Sequence, residues 1–227
     1  MNQIVKYISR NALIRTIAAL SILGMACVTA SAQLTLDSFP NGNSGNPYVK
    51  TLTAAQSTTT HYEGLPSGSL LGAARETIFS IGANPYAQTS TIDVGGNILI
   101  VDTGFQAVAG LDIGYGFSTS GKEVPMGLNL GAYSGLQVNF AGVASTEAIN
   151  VIVVVYPNSG GYYTAETTLY PNVDAKPATF LYTSFSKGGT GAPLTPTEAS
   201  NINYIIIEIE TAGSTASYGI TSFQAIN

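Results

Sequence analysis

Turn-forming residues cut this chain into short apolar runs, and that spacing constrains the fold more than any single motif does. The runs are separated by Gly, Pro, Asn and Ser, which leaves almost no room for a long amphipathic helix. Residues 33–39 (QLTLDSF) alternate apolar and polar, placing Leu34 and Leu36 on one face of a pleated strand, and then break at Pro40-Asn41-Gly42-Asn43. Further strands are expected at 48–52, 76–81, 97–101, 107–116, 136–140, 149–156, 162–169, 179–185, 202–209 and 218–226. Many short strands at such spacing point to an all-β sandwich or barrel.

Some runs say more than "strand". Val151 to Val155 (VIVVV) is continuously apolar and β-branched, the pattern of a central strand covered on both faces, and Ile205-Ile206-Ile207 reads likewise. Residues 149–169 should form a hairpin turning at Pro157-Asn158-Ser159-Gly160-Gly161. Thr195-Pro196-Thr197-Glu198 has the residues to cap one short helical turn.

The first 32 residues obey other rules. Lys6, Arg10 and Arg15 precede an apolar run, Thr16 to Ala30, closed by the small-residue site Ala30-Ser31-Ala32. This is the pattern of a cleaved signal peptide over 1–32, with a single mature domain over 33–227, and the apolar run is shorter than the ~20 residues of a membrane-spanning helix. Cys27, the one cysteine, lies in that segment, so the mature domain would have no disulfide and no thiolate. Five basic residues then face thirteen acidic ones, a formal charge of −8. Five scattered cations cannot build a phosphate-binding stripe, which argues against nucleic acid and against anionic membrane surfaces as partners. Charged residues are only 9% of the chain, so the surface should be neutral and polar.

No catalytic constellation stands out. His61, the one histidine, lies in the Thr-rich segment 57–63, expected to be a loop, and no Gly-x-Ser-x-Gly elbow accompanies it. Glu208 and Glu210 share one strand face roughly 7 Å apart, a spacing compatible with carboxylate-based glycoside hydrolysis and, more simply, with a solvated outer face. Asp93, Asp102 and Asp112 are further carboxylates without distinguishing context. No cofactor is implied; structural calcium remains compatible with the carboxylates and free carbonyls, but no EF-hand spacing occurs and no metal ligand is named. Arg75 is the one arginine of residues 33–227 and leads from an apolar segment into a strand, so a structural role, buried and satisfied by a carboxylate or by carbonyls, is expected for it. Tyrosines at 115, 133, 156, 162, 163, 170 and 182 could stack on sugar rings. Among them Tyr162 and Tyr163 are the pair assigned to ligand binding, because adjacent strand residues face opposite ways and at least one should be exposed.

The segments Leu70-Leu71-Gly72-Ala73-Ala74-Arg75-Glu76-Thr77-Ile78 and Leu128-Asn129-Leu130-Gly131-Ala132-Tyr133-Ser134-Gly135-Leu136-Gln137-Val138-Asn139-Phe140, followed by 149–156, resemble exported bacterial jelly-roll domains of PEP-CTERM-sorted proteins and, more distantly, carbohydrate-binding modules. The resemblance implies a jelly-roll-like antiparallel β-sandwich. Residues 1–227 do not contain the Pro-Glu-Pro sorting tail of such proteins, so no anchoring is inherited, and Ala73 stands where their second glycine would be. The reading is a secreted, noncatalytic extracellular domain that binds carbohydrate or a surface, with periplasm, cell surface and medium all open. The alternative is a self-associating subunit of an envelope or extracellular-matrix assembly, and a glycoside hydrolase comes third. Polysaccharide or cell-surface and matrix components are the expected partners, with no transmembrane anchor after processing.

Overall fold

The computed structural model describes residues 33–41, 45–171, 173–174, 176–189, 191–213 and 215–227. The expected signal peptide lies outside them. Among the described residues, two antiparallel sheets stack face to face as a jelly-roll-like β-sandwich. Residues 33–227 form one compact unit.

The first sheet is built from β1 (Leu34–Asp37), β2 (Tyr48–Leu52), β5 (Ser90–Gly95), β6 (Ile98–Asp102), β8 (Gly135–Ser145), β11 (Val173–Asp174), β12 (Ala178–Leu181) and β15 (Ala216–Ile226). Its main path runs β11-β8-β15-β6-β5-β2, with β1 pairing β15 beyond the end of β6 and β12 pairing β8. The second sheet contains β3 (Ser57–Gly64), β4 (Ala74–Ala83), β7 (Val108–Phe117), β9 (Ile149–Pro157), β10 (Tyr163–Leu169), β13 (Ser186–Lys187) and β14 (Ile202–Thr211). Its order is β13-β10-β9-β14-β7-β4-β3. Strands close in sequence fall on different sheets, as when β4 leads to β5 and β6 leads to β7, and this crossing is what closes the sandwich.

The core follows from alternation. In β7 Leu111, Ile113 and Tyr115 point inward, as do Val151, Val153 and Val155 in β9 and Ile205, Ile207 and Ile209 in β14; all are fully buried. Leu136, Val138, Ile220 and Phe223 meet them from the first sheet. Each such side chain removed from water contributes about 1.5–3 kcal/mol. β9 and β14 are central, as their composition predicted, but Ile152 and Ile206 on their outer face are only half-buried. The second sheet is therefore covered on one side, not two.

The 149–169 hairpin pairs in the expected register, from Ile149↔Leu169 to Val155↔Tyr163. Thr195 and Glu198 form a reciprocal capping box at α1 (Pro196–Ala199). Four strands escaped the sequence reading, two of them, β11 and β13, only two residues long. The segment around His61 is β3, an edge strand zipped along β4 from Ser57↔Ile81 to Gly64↔Ala74, not a loop. Its Ser-Thr-Thr-Thr run carries no apolar alternation, and pairing with β4 decides its conformation. β5 was missed too, although Ile92 and Val94 are buried in the core. At 179–185 the strand stops at Leu181, where a 3₁₀ turn over Tyr182–Ser184 begins.

Candidate functional site

Two polar features stand out, on opposite sides of β4. The first lies between the sheets. Arg75 is fully buried, with Nη1 donating to Asp37 Oδ2 at 2.8 Å and Nη2 to Glu63 Oε2 at 2.5 Å. Tyr115 Oη donates to the same Asp37 oxygen at 2.9 Å, and Asp37 Oδ1 accepts from the Phe39 amide. The Phe39 ring lies 5.1 Å from the guanidinium carbon. Burial works against the Arg75 charge, but Asp37, Tyr115 and Glu63 more than offset it and hold its pKa above the ordinary value. Burial, with Asp37 beside it, pushes the Tyr115 phenol well up. These residues join β1, β3, β4 and β7, and this is a structural clasp between the sheets.

The second feature is the solvent face of the second sheet. Register places Tyr62, Glu76, Gly114, Ile206, Val154 and Thr164 side by side across it, and Thr60, Ile78, Asp112, Glu208, Ile152 and Glu166 in the next row. The outward positions of β7 are Val108, Gly110, Asp112, Gly114 and Gly116, so from residue 110 to residue 116 Asp112 is the one side chain longer than hydrogen on that face. The middle of the sheet is thereby sunken over about 20 Å.

Aromatic rings fill the upper part of this depression. A Cβ on Gly114 would sit 2.9 Å from the Phe117 ring, and one on Gly116, whose φ is +99°, would sit 2.5 Å from Tyr204. Both glycines are required for the rings to lie down on the strand. Tyr62, Phe117, Tyr204, Tyr156 and Tyr162 then form a continuous row, with successive centroids 6.4, 6.1, 6.3 and 6.0 Å apart. It crosses strands β3 to β10, roughly 24 Å at ordinary strand spacing. All five rings are partly or fully exposed.

Carboxylates run beside the row. Glu76 Oε1 accepts from Tyr62 Oη at 2.6 Å. Asp112 and Glu208 are direct cross-strand partners, with Glu210 two residues further along β14. Burial raises the pKa of Asp112, helped by Glu210 and Glu76. Burial raises that of Glu208 too, helped by Asp112 and Glu210. The Tyr156 phenol is pushed up by burial and by Glu208, which ties the aromatic row to the acidic one. At the Gly110 end the depression runs into a cavity of about 340 Å³ lined by Ser80, Val108, Asn150, Glu210 and Thr211.

The residues singled out from sequence divide between these features. Tyr162 is 44% exposed and ends the aromatic row. Tyr163 points into the core, donates its hydroxyl to Glu198 and lies under Lys187 Nζ; burial, then Glu198, pushes its pKa to about 12. Tyr156 joins the row, whereas Tyr115 and Tyr182 are buried between the sheets. Tyr62, Phe117 and Tyr204 were not singled out, because only strand register brings them together. Glu208 and Glu210 share the outer face as their spacing implied, and Asp112 joins them from β7. Asp93 and Asp102 lie on the other sheet. The His61 ring stacks on Tyr48 at 3.9 Å, and burial lowers its pKa against the pull of Glu63. Among the described residues no group of three or more metal-ligating side chains converges on a metal-sized site. Nor is any helix among them long and apolar enough to cross a membrane.

No family model and no curated protein matches the chain. Several solved structures are similar to the chain at low identity. The family 11 carbohydrate-binding module of a cellulosomal cellulase of Clostridium thermocellum is 13% identical, with 87% of this chain and 96% of the module covered and a TM-score of 0.38. The module TmCBM61, solved in complex with β-1,4-galactotriose, is 8% identical over 86% of this chain and 98% of its own, with a TM-score of 0.33. The enzymatically active domain of a tailspike protein of bacteriophage CBA120 is 11% identical, covering 85% of this chain and 22% of its own, with a TM-score of 0.36.

Proposed function

We propose that this chain is a secreted, noncatalytic carbohydrate-binding module whose polysaccharide ligand lies on the outer face of the second sheet. The observation that carries the reading is the aromatic row from Tyr62 to Tyr162. Exposed rings aligned over a length of several sugar units offer apolar faces to the C–H faces of pyranoses. The flanking carboxylates and Asn150 accept or donate hydrogen bonds to hydroxyls, and the glycines of β7 let a chain approach the backbone closely. Arg75 contributes to this only by holding the sandwich together. Of the pair assigned from sequence, Tyr162 keeps the ligand role, and the burial of Tyr163 turns it toward the core instead.

The test is retention of the purified protein on a panel of immobilised polysaccharides, beside a Tyr156→Ala, Tyr204→Ala variant. Saturable binding weakened at least tenfold in the variant, with an unchanged unfolding midpoint, is the expected result. Equal binding by the variant, or no retention on any polymer, would remove the reading. Release of new reducing ends from a bound polymer would overturn its noncatalytic part and give Asp112 and Glu208 a catalytic role.

A further inference from the structure

We infer that the polysaccharide this face accepts carries free ammonium groups, as in a polymer of unacetylated amino sugar. This rests on the sugar-binding reading above. The aromatic row and the glycine floor call for a pyranose chain, and the charges beside them decide which kind.

The ionisable side chains that strand register places on that face, other than the phenols, are all acids: Glu76 from β4, Asp112 from β7, Glu208 and Glu210 from β14, and Glu166 from β10; Glu123 adds another beside Tyr204. None of them takes part in an ion pair among the described residues, where both ion pairs belong to Arg75. Four of the five basic residues lie off this face. Arg75 is sealed between the sheets, Lys50 lies in β2 of the other sheet, Lys176 lies between β11 and β12 of that same sheet, and Lys187 sits over Tyr163 at the β13 edge. Lys122 belongs to the turn beyond Phe117, whose Gly121 packs against the Tyr62 ring at the β3 end of the row.

Asp112 and Glu208 face each other directly on neighbouring strands, an arrangement that is destabilising for like charges. Their carboxyls are held above the ordinary range by burial and then by surrounding carboxylates, so the face is under electrostatic tension at neutral pH. A polyuronate or a sulfated chain would add to that tension. A neutral chain would leave it. An ammonium group on a sugar stacked against Tyr156 or Tyr204 would relieve it through charge-assisted hydrogen bonds, and the same rings favour a cation over their faces.

The experiment compares retention of the protein, at low salt and at a mildly acidic pH that keeps the amino sugars protonated, on three polymers of similar length: a β-1,4-linked glucosamine polymer, its fully N-acetylated form and a polyuronate. The glucosamine polymer should bind at least tenfold more tightly than the acetylated one, the polyuronate should not bind, and the preference should shrink as salt is added. An Asp112→Asn, Glu208→Gln variant should lose most of that preference, its loss of binding being far larger on the glucosamine polymer than on the acetylated chain. An Asp93→Asn, Asp102→Asn variant, equally reduced in charge but on the other sheet, should keep it. Equal binding of the two glucosamine polymers, or equal losses in both carboxylate variants, overturns the ammonium inference and leaves sugar binding standing. Absence of binding to every polymer overturns both.

Discussion

Arg75 and Glu76 are neighbours in the chain and point to opposite faces of β4, where their charges meet opposite conditions. Arg75 is fully buried, yet Asp37, Glu63 and Phe39 close around it from β1, β3 and the turn after β1. Glu76 stands at the rim of a solvent-facing depression that also holds Asp112, Glu208 and Glu210, and no cation pairs with any of them among the described residues. The chain thus spends its one core cation where burial makes pairing obligatory, and leaves like charges crowded where solvent or a ligand can answer them. These two places hold seven of the eighteen charged residues of 33–227, and the difference separates a group that holds the fold from groups left open to solvent.

The most forceful way to break that comparison is Arg75→Met. Removing the guanidinium strands Asp37 and Glu63 inside the sandwich, and truncating one partner of a buried ion pair costs about 3–5 kcal/mol. Urea unfolding should show that loss, or the variant should fail to accumulate folded. An Arg75→Met, Asp37→Leu, Glu63→Leu triple variant should recover part of it, because no charge is then left unpaired. A single variant within about 1 kcal/mol of the parent would mean that water reaches the cluster and that it is no core clasp.

A smaller effect separates the adjacent tyrosines of the β9–β10 hairpin. Tyr163→Phe removes the hydroxyl bonded to Glu198, the same carboxylate that closes the capping box of α1. A hydrogen bond to a charged group contributes about 1.5–3 kcal/mol when well buried, and the partial exposure of Glu198 brings the expected loss to roughly 1 kcal/mol. Tyr162→Ala should leave stability within about 0.5 kcal/mol while weakening polysaccharide binding. If the two effects are exchanged, the division between core side and ligand side is drawn in the wrong place.

How far the sequence discloses this arrangement depends on whether a signal is local. Alternation and turn residues locate β7, β9 and β14 closely, because a strand that buries one face must write that face into its own residues. β3 escapes because it is a polar edge strand whose conformation is dictated by β4. Arg75 is legible as an oddity, a lone arginine in an apolar lead-in, but Asp37 and Glu63 lie 38 and 12 residues away and only the fold selects them. The candidate site is legible only in fragments. Glu208, Glu210, Tyr156 and Tyr162 can be named from sequence, whereas Phe117 and Tyr204 join them through glycines at 114 and 116 that read, in isolation, as loosened strand.

The finest test of the comparison is the pH dependence of the outer carboxylates. In the folded protein the pKa values of Asp112 and Glu208 lie above those of the unfolded chain, burial being the main cause and neighbouring carboxylates the next. The folded state therefore binds more protons than the unfolded one between the two values, and stability must fall as pH rises through that window. From neutral pH downward these two groups should add stability until the pH reaches the ordinary carboxylate range, against the loss that the lowered pKa of His61 brings as pH falls. Asp112→Asn removes one of the facing charges. It should raise stability at neutral pH by up to about 1 kcal/mol, the scale of a like-charge cross-strand pair, and should flatten the gain on acidification. Thermal unfolding midpoints of parent and variant across that range decide the matter. A variant destabilised at neutral pH would show that Asp112 holds the sheet rather than straining it, and the outer face would then belong with Arg75 on the structural side.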